Sequence, residues 1–218
     1  MLVDYVNFYA RTNRTKYTFE KFQKYFGRKI LDVGCDKAFL KTMIKNIEYV
    51  GVDISGNPDV YVDLEKTQRL PFEDSSFDCV ICSDVLEHLD NLHLIFSELL
   101  RVSGRYVIIA WPNNWVNARI PIERGHGHFK HYGLPPEKPL DRHKWFFSLS
   151  EAENFVKEQI QKNRNIQLVE ERVSEKPKIF PLHLLRHIRY PKQEYYLNRY
   201  AHTLWTVLQK KSEKKTNA

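Results

Sequence analysis

Short apolar runs alternate with amphipathic segments along this chain, and that rhythm predicts its elements. Lys29–Gly34 is a buried-strand pattern closed by glycine. Further strands are predicted over Glu48–Asp53, Val60–Val62, Phe77–Ser83, Tyr106–Trp111 and Ile166–Val173, the fifth stopped by Pro112. Between them the spacing predicts helices over Ala38–Asn46 and Val85–Val102, the second with apolar positions from Leu86 to Leu100. Ser148, followed three positions later by Glu151, forms a capping box that opens a helix running to Lys162. Phe19, Phe22 and Phe26 recur at helical spacing, so a short helix precedes the first strand. Lys192–Lys211 is read as a further helix, begun by Pro191, with Tyr196, Tyr200, Leu204, Val207 and Leu208 on one face. Strands alternating with helices predict an α/β fold, a mostly parallel sheet with helices on both faces. In such sheets the ligand sits at the carboxyl ends of the strands, near the switch in strand order.

The polar residues that carry chemistry stand at those ends. Asp32-Val33-Gly34-Cys35-Asp36-Lys37-Ala38 turns out of the first strand, and Gly34 permits a left-handed backbone and close approach of a ligand. Asp53-Ile54 ends the second strand, where an acidic residue can accept hydrogen bonds from ribose hydroxyls. Asp63-Leu64 follows the third. The fourth is preceded by Leu70-Pro71-Phe72-Glu73-Asp74-Ser75-Ser76-Phe77-Asp78 and followed by Ser83-Asp84-Val85-Leu86-Glu87-His88-Leu89. A dinucleotide dehydrogenase would place G-x-G-x-x-G after the first strand, and residues 32–40 hold one glycine.

This run, over residues 29–113, resembles the class I, Rossmann-like methyltransferases that use S-adenosyl-L-methionine (SAM), in the subgroup with LPF-D-SFD and LEHL motifs around the fourth strand. The resemblance implies an enzyme with SAM as cofactor. It implies that Asp32, Gly34 and the Cys35 backbone line the methionine part, that Asp53 binds the ribose, and that Ile54 packs on the adenine. It further implies Asp63 near the adenine amino group with Leu64 beside it, Ser83 near the sulfonium and His88 near the methionine end. The chain departs from the family where Asp36 and Ala38 replace usual glycines. Asp36 fits if its side chain turns to solvent or caps a helix.

Pro112–Phe147 is long, aromatic and basic, and is read as an acceptor-binding lid inserted in a methyltransferase domain of residues 1–175. Transfer to a hydroxyl needs a proton acceptor, and histidine suits that task. His126, His128, His131 and His143 are the candidate bases. Three histidines in six residues could hold a divalent ion, but no cysteine or clear carboxylate stands beside them in sequence, so no metal ligand is assigned. Arg119, Arg124, Arg142 and Lys144 suit a phosphate or carboxylate on the acceptor. The expected acceptor is a small molecule or glycan hydroxyl, anionic sugars and lipid-linked saccharides included. The alternatives are an RNA or protein methyltransferase and a non-catalytic protein on the same fold. The Asn/Asp-Pro-Pro-Tyr motif of many base N-methylating enzymes is replaced by Ser83-Asp84-Val85-Leu86, which counts against nucleic acid.

Charge refines this picture. The 218 residues carry 34 Lys/Arg and 27 Asp/Glu, a net of +7. Ten of those cations and only two of the anions lie in the segment 176–218, read as a basic C-terminal extension, so the body is near neutral. Aromatic and basic residues from Phe180 to Lys211 suit an anionic membrane surface, packing on the sheet, or a second copy of the chain. Residues from Lys210 onward read as unstructured. No run approaches the ~18 apolar residues of a membrane span, and no basic-then-apolar segment follows Met1. Cys35, Cys79 and Cys82 lie in apolar stretches with no metal or disulfide spacing, so a reducing cytoplasmic compartment is expected, with peripheral contact at the inner membrane face.

Overall fold

The computed structural model describes residues 1–129, 131–139 and 141–211. Among these residues eight strands form one sheet: β1 (Leu2–Tyr5), β2 (Lys29–Val33), β3 (Glu48–Asp53), β4 (Val60–Tyr61), β5 (Phe77–Ser83), β6 (Ser103–Pro112), β7 (Ile166–Glu175) and β8 (Ala201–Lys210). Their order is β1-β7-β8-β6-β5-β2-β3-β4, and all neighbours pair in parallel except β8, which runs antiparallel to both β6 and β7. The α/β expectation holds. The chain winds outward from β2 through β3 to β4 and then returns to β5 on the other side of β2. That reversal opens a crevice at the carboxyl tips of β2 and β5.

Among the described residues six helices flank the sheet: α1 (Arg11–Phe22), α2 (Leu92–Val102), α3 (Asn114–Arg124), α4 (Leu149–Lys162), α5 (Phe180–Arg189) and α6 (Gln193–Tyr200). Two apolar layers result. One gathers Leu31, Val80, Phe96, Leu99 and Val107 beneath α2 and α4, the other Phe22, Phe26, Ile30, Ile81 and Trp205 beneath α1. The predicted capping box forms at α4, where the Glu151 N–H donates to Ser148 Oγ at 3.3 Å and the Ser148 N–H to Glu151 Oε2 at 2.7 Å.

Several predicted elements change. The helix expected over 38–46 shrinks to a 3₁₀ turn, Phe39–Thr42, because Asp36 and Ala38 take left-handed conformations with φ of 49° and 52°. The helix expected over 85–102 splits into a 3₁₀ turn, Leu86–His88, and α2, since Leu89 between them is extended. The lid contains a helix, α3. The edge strand β1 was not anticipated. The largest change concerns the helix expected over 192–211, which ends at Tyr200; the chain then enters the sheet as β8. Residues after 175 thus supply an interior strand as well as surface helices. A strand buried on both faces lacks two-residue alternation and can imitate helical spacing, as Leu204, Val207 and Leu208 did. The unstructured end expected from Lys210 falls mostly on residues 212–218, outside the described residues.

Candidate active site at the tips of β2, β3 and β5

At the tip of β2 the backbone N–H groups of Gly34 and Cys35 both donate to the Val52 carbonyl, at 2.8 and 3.2 Å, folding the turn onto β3. Gly34 has φ +78°, and a Cβ there would meet Val85 Cγ2 at 2.2 Å. Asp53, half-buried at the end of β3, accepts the Asp36 N–H at 2.8 Å on one oxygen and the Ser55 N–H at 3.0 Å on the other. Asp36 therefore keeps the left-handed backbone of a glycine, and its side chain turns outward to Arg11 of α1 at 3.1 Å. Short polar side chains tolerate that region better than most.

Asp32 lies below this turn. Its carboxylate accepts the Tyr49 hydroxyl at 2.8 Å; burial pushes its pKa up to about 6, against the lowering effect of that hydrogen bond. Burial, with the nearby Asp32 and Asp53 charges, raises the Cys35 thiol to about 12, so Cys35 is an inert packing residue there. Ile54 is 64% exposed. Asp63 pairs with Lys66 at 2.9 Å and its pKa is lowered by that contact, whereas Leu64 is buried in the apolar layer. Ser83 Oγ, at the tip of β5, is buried and has no hydrogen-bond partner among the described residues.

Beyond β5 the chain turns at Asp84, φ 53°, whose carboxylate pairs with Arg14 of α1. The 3₁₀ turn that follows carries Glu87 and His88. Glu87 is 1% exposed, and neither carboxylate oxygen has a hydrogen-bond partner among the described residues. Burial, then repulsion from Asp84, holds its pKa well above the usual carboxylate range.

The lid closes onto this turn. Lys144 and Trp145 donate their N–H groups to the Glu87 carbonyl at 2.8 and 3.2 Å, and the Trp145 indole donates to the Leu89 carbonyl at 2.7 Å. Lys144 Nζ bridges Glu65 and Asp90 at 2.5 and 2.7 Å. These contacts bring three histidines together. The His131 and His143 rings stack at 4.3 Å, and His88 meets His143 edge-on at 4.4 Å. His126 and His128 are exposed and take no part in the cluster. Of the lid cations expected to face an acceptor, Arg119 instead pairs with Glu123 and Lys144 with the acids just named.

Glu87, Asp84, Asn114 and Asp141 were not among the sequence candidates, although each belongs to the cluster's surroundings. A charged residue set between Leu86 and Leu89 on a strand-to-helix turn is the signal that could have pointed to Glu87.

Known proteins share part of this sequence and the fold. Residues 31–108, from within β2 to within β6, match the family model described as a methyltransferase domain. An uncharacterised protein of Methanocaldococcus jannaschii is 28% identical over 88 residues, 37% of this chain; the chain spans 39% of that relative's length. Among solved structures, a SAM-dependent methyltransferase of Archaeoglobus fulgidus superposes with a TM-score of 0.55 at 19% identity, over 93% of this chain and 95% of its own. A small RNA methyltransferase superposes with a TM-score of 0.59 at 13% identity, over 95% of this chain and 26% of its own. At these identities the likeness is one of fold.

Proposed function

We propose that this protein transfers the methyl group of SAM to a hydroxyl of an anionic small molecule or glycan. The observation that carries the reading is the pairing of two half-sites across the β2–β5 switch: an acidic, glycine-turned cleft on one side and a histidine cluster under a docked lid on the other. The residues present fit the cofactor. Asp53 is placed to take ribose hydroxyls on the lone pairs its two N–H donors leave open. Ile54 offers an exposed apolar surface for the adenine, with Asp63 and Leu64 on the next strand end. The Ser83 hydroxyl and Asp84 Oδ1, both buried and without partners among the described residues, would satisfy the polar methionine end together with Asp32, Gly34 and the Cys35 backbone. When bound, SAM supplies a methyl group already activated on a sulfonium.

The chain's own residues position the acceptor and remove its proton. His131 and His143 are the lid histidines that reach the cluster, with His88 opposite, so the proton-accepting role narrows to this group. Tyr132 fixes the lid by donating its hydroxyl to the Trp145 carbonyl at 2.6 Å. Arg124 and Arg142 remain to bind an acidic group on the acceptor.

No helix of the described residues is long and apolar enough to cross a membrane. The amphipathic α5 nevertheless leaves Phe180 and Ile188 78% and 67% exposed beside Arg186, His187 and Arg189. Contact of this helix with an anionic membrane surface would favour a lipid-linked saccharide as acceptor. Sedimentation with phosphatidylglycerol vesicles, lost in a Phe180→Glu/Ile188→Glu variant, tests that contact.

Incubation with methyl-labelled SAM and panels of phosphorylated sugars and lipid-linked glycans tests the function. Base-stable label in a sugar is the expected result. Label only in short RNA added in parallel would replace the acceptor class, and failure of the protein to bind S-adenosylhomocysteine by calorimetry would overturn the reading.

A further inference from the structure

We infer that Glu87, His88 and His143 form a binding site for one divalent transition-metal ion, placed beside the acceptor side of the cleft. One donor atom from each of the three lies within 4.8 Å of the others. Glu87 Oε1 and His88 Nε2 are 3.7 Å apart. Ligands held at roughly 2.1 Å from a shared ion are separated by ~3–4 Å, so side-chain rotation of under about 1 Å closes the set.

Three independent features of the site point to a cation. The first is the Glu87 carboxyl, fully enclosed and with no hydrogen bond to either oxygen among the described residues. A carboxylate left in that state is costly, and a cation at its oxygens removes the cost. The second is the state of the imidazoles. The Tyr132 hydroxyl gives its proton to the Trp145 carbonyl, so its oxygen, 3.0 Å from His143 Nδ1, is an acceptor there. The Asn114 amide nitrogen likewise faces the Trp145 carbonyl, which leaves its Oδ1, 3.2 Å from the same Nδ1, as a second acceptor. Two acceptors fix the proton on Nδ1 and make Nε2 the lone-pair nitrogen. Asp141 Oδ1 lies 2.6 Å from His88 Nδ1, and Nε2 is the His88 nitrogen on the Glu87 side, 3.7 Å from Glu87 Oε1. Carboxylates and carbonyls that orient imidazoles in this way are the usual support of metal-binding histidines. The third feature is the local charge: Asp84 and Asp141 stand near Glu87, with Arg14 paired to Asp84.

Two imidazoles and one carboxylate suit Mn²⁺, Co²⁺ or Zn²⁺ better than Mg²⁺, which prefers oxygen donors. Three protein ligands leave positions open for water or an acceptor oxygen. The assignment of a role rests on the proposed methyltransferase reading: the ion would hold the acceptor hydroxyl and lower its pKa, its proton passing to the His131 ring stacked on His143. Glu87 and His88 stand 56 and 55 positions before His143, and lid docking unites them.

Chelator-stripped full-length protein is titrated with Mn²⁺, followed by loss of the free-ion EPR signal, and with Co²⁺, followed by its visible d–d absorption. One ion per chain is expected. Glu87→Gln and His143→Ala should each weaken binding at least tenfold. Glu87→Gln should keep or raise the melting temperature of the metal-free protein while losing the metal-induced rise, a pairing that a purely structural glutamate would not produce. S-adenosylhomocysteine calorimetry runs beside these titrations. Binding of the nucleoside without the ion, or equal ion affinity in wild type and both variants, overturns the metal site and leaves the methyltransferase reading standing. Binding of the ion without the nucleoside does the reverse.

Discussion

Gly34→Ala isolates the geometry on which the β2 tip depends. The residue has φ +78°, so an alanine pays the left-handed penalty of roughly 1–2 kcal/mol. Its new Cβ would also stand 2.2 Å from Val85 Cγ2, a contact that forces the valine or the turn to move. Val85 is β-branched with one strongly preferred rotamer, and overpacking of this kind costs about 1–3 kcal/mol. Together the two effects predict a loss of about 2–5 kcal/mol. Gly125→Ala is the internal control: φ is +68° but nothing lies within 4 Å of its Cβ, so only the backbone part applies. Urea denaturation followed by circular dichroism measures both variants. Adding Val85→Ala to Gly34→Ala should return the steric part, and the double-mutant cycle should show a favourable coupling of about 1–3 kcal/mol. S-adenosylhomocysteine affinity should fall in Gly34→Ala because the turn carrying the Asp36 N–H to Asp53 moves. Equal destabilisation at positions 34 and 125, or no coupling to Val85, would refute the packing argument.

Asp53→Ala removes a carboxylate that takes two backbone N–H groups and faces the cleft; S-adenosylhomocysteine affinity by calorimetry should drop tenfold or more, and unchanged affinity removes Asp53 from the site. Burial pushes the His202 ring down to about 4, against an ordinary value near 6.5. Between those values the unfolded chain binds a proton that the folded one does not. Stability is therefore intact above pH ~6.5 and falls by about 3 kcal/mol as pH drops to ~4; a His202→Asn variant should flatten this part of the urea-midpoint profile. Trp205 is fully buried in β8, and Trp205→Ala should cost about 3–5 kcal/mol by urea denaturation, whereas a helix packed on the surface would lose far less.

Much of the architecture was legible along the chain. Apolar runs closed by Gly34, Asp53 or Pro112 marked β2, β3 and β6, because a parallel strand covered on both faces must be continuously apolar. Ser148 with Glu151 marked the start of α4, because capping is a local interaction of four residues. The chemistry of the strand tips was visible for the same reason: Asp32, Gly34 and Asp53 sit where any such strand ends. Tertiary structure decided what sequence distance conceals. Ala201–Lys210 became a strand only because β6 and β7 both offered it hydrogen-bonding edges, a fact absent from its own spacing. Asp36 and Ala38 adopt the glycine-like turn because Asp53 and the Asn57 N–H, both more than fifteen residues on, hold it there. Which histidines cluster was likewise decided by the lid, whose Lys144 and Trp145 dock on the Glu87 carbonyl and bring His131 and His143 beside His88 while His126 and His128 stay exposed. Local patterns report what a residue prefers, whereas a site is a set of long-range contacts, and those exist only once the chain has closed on itself.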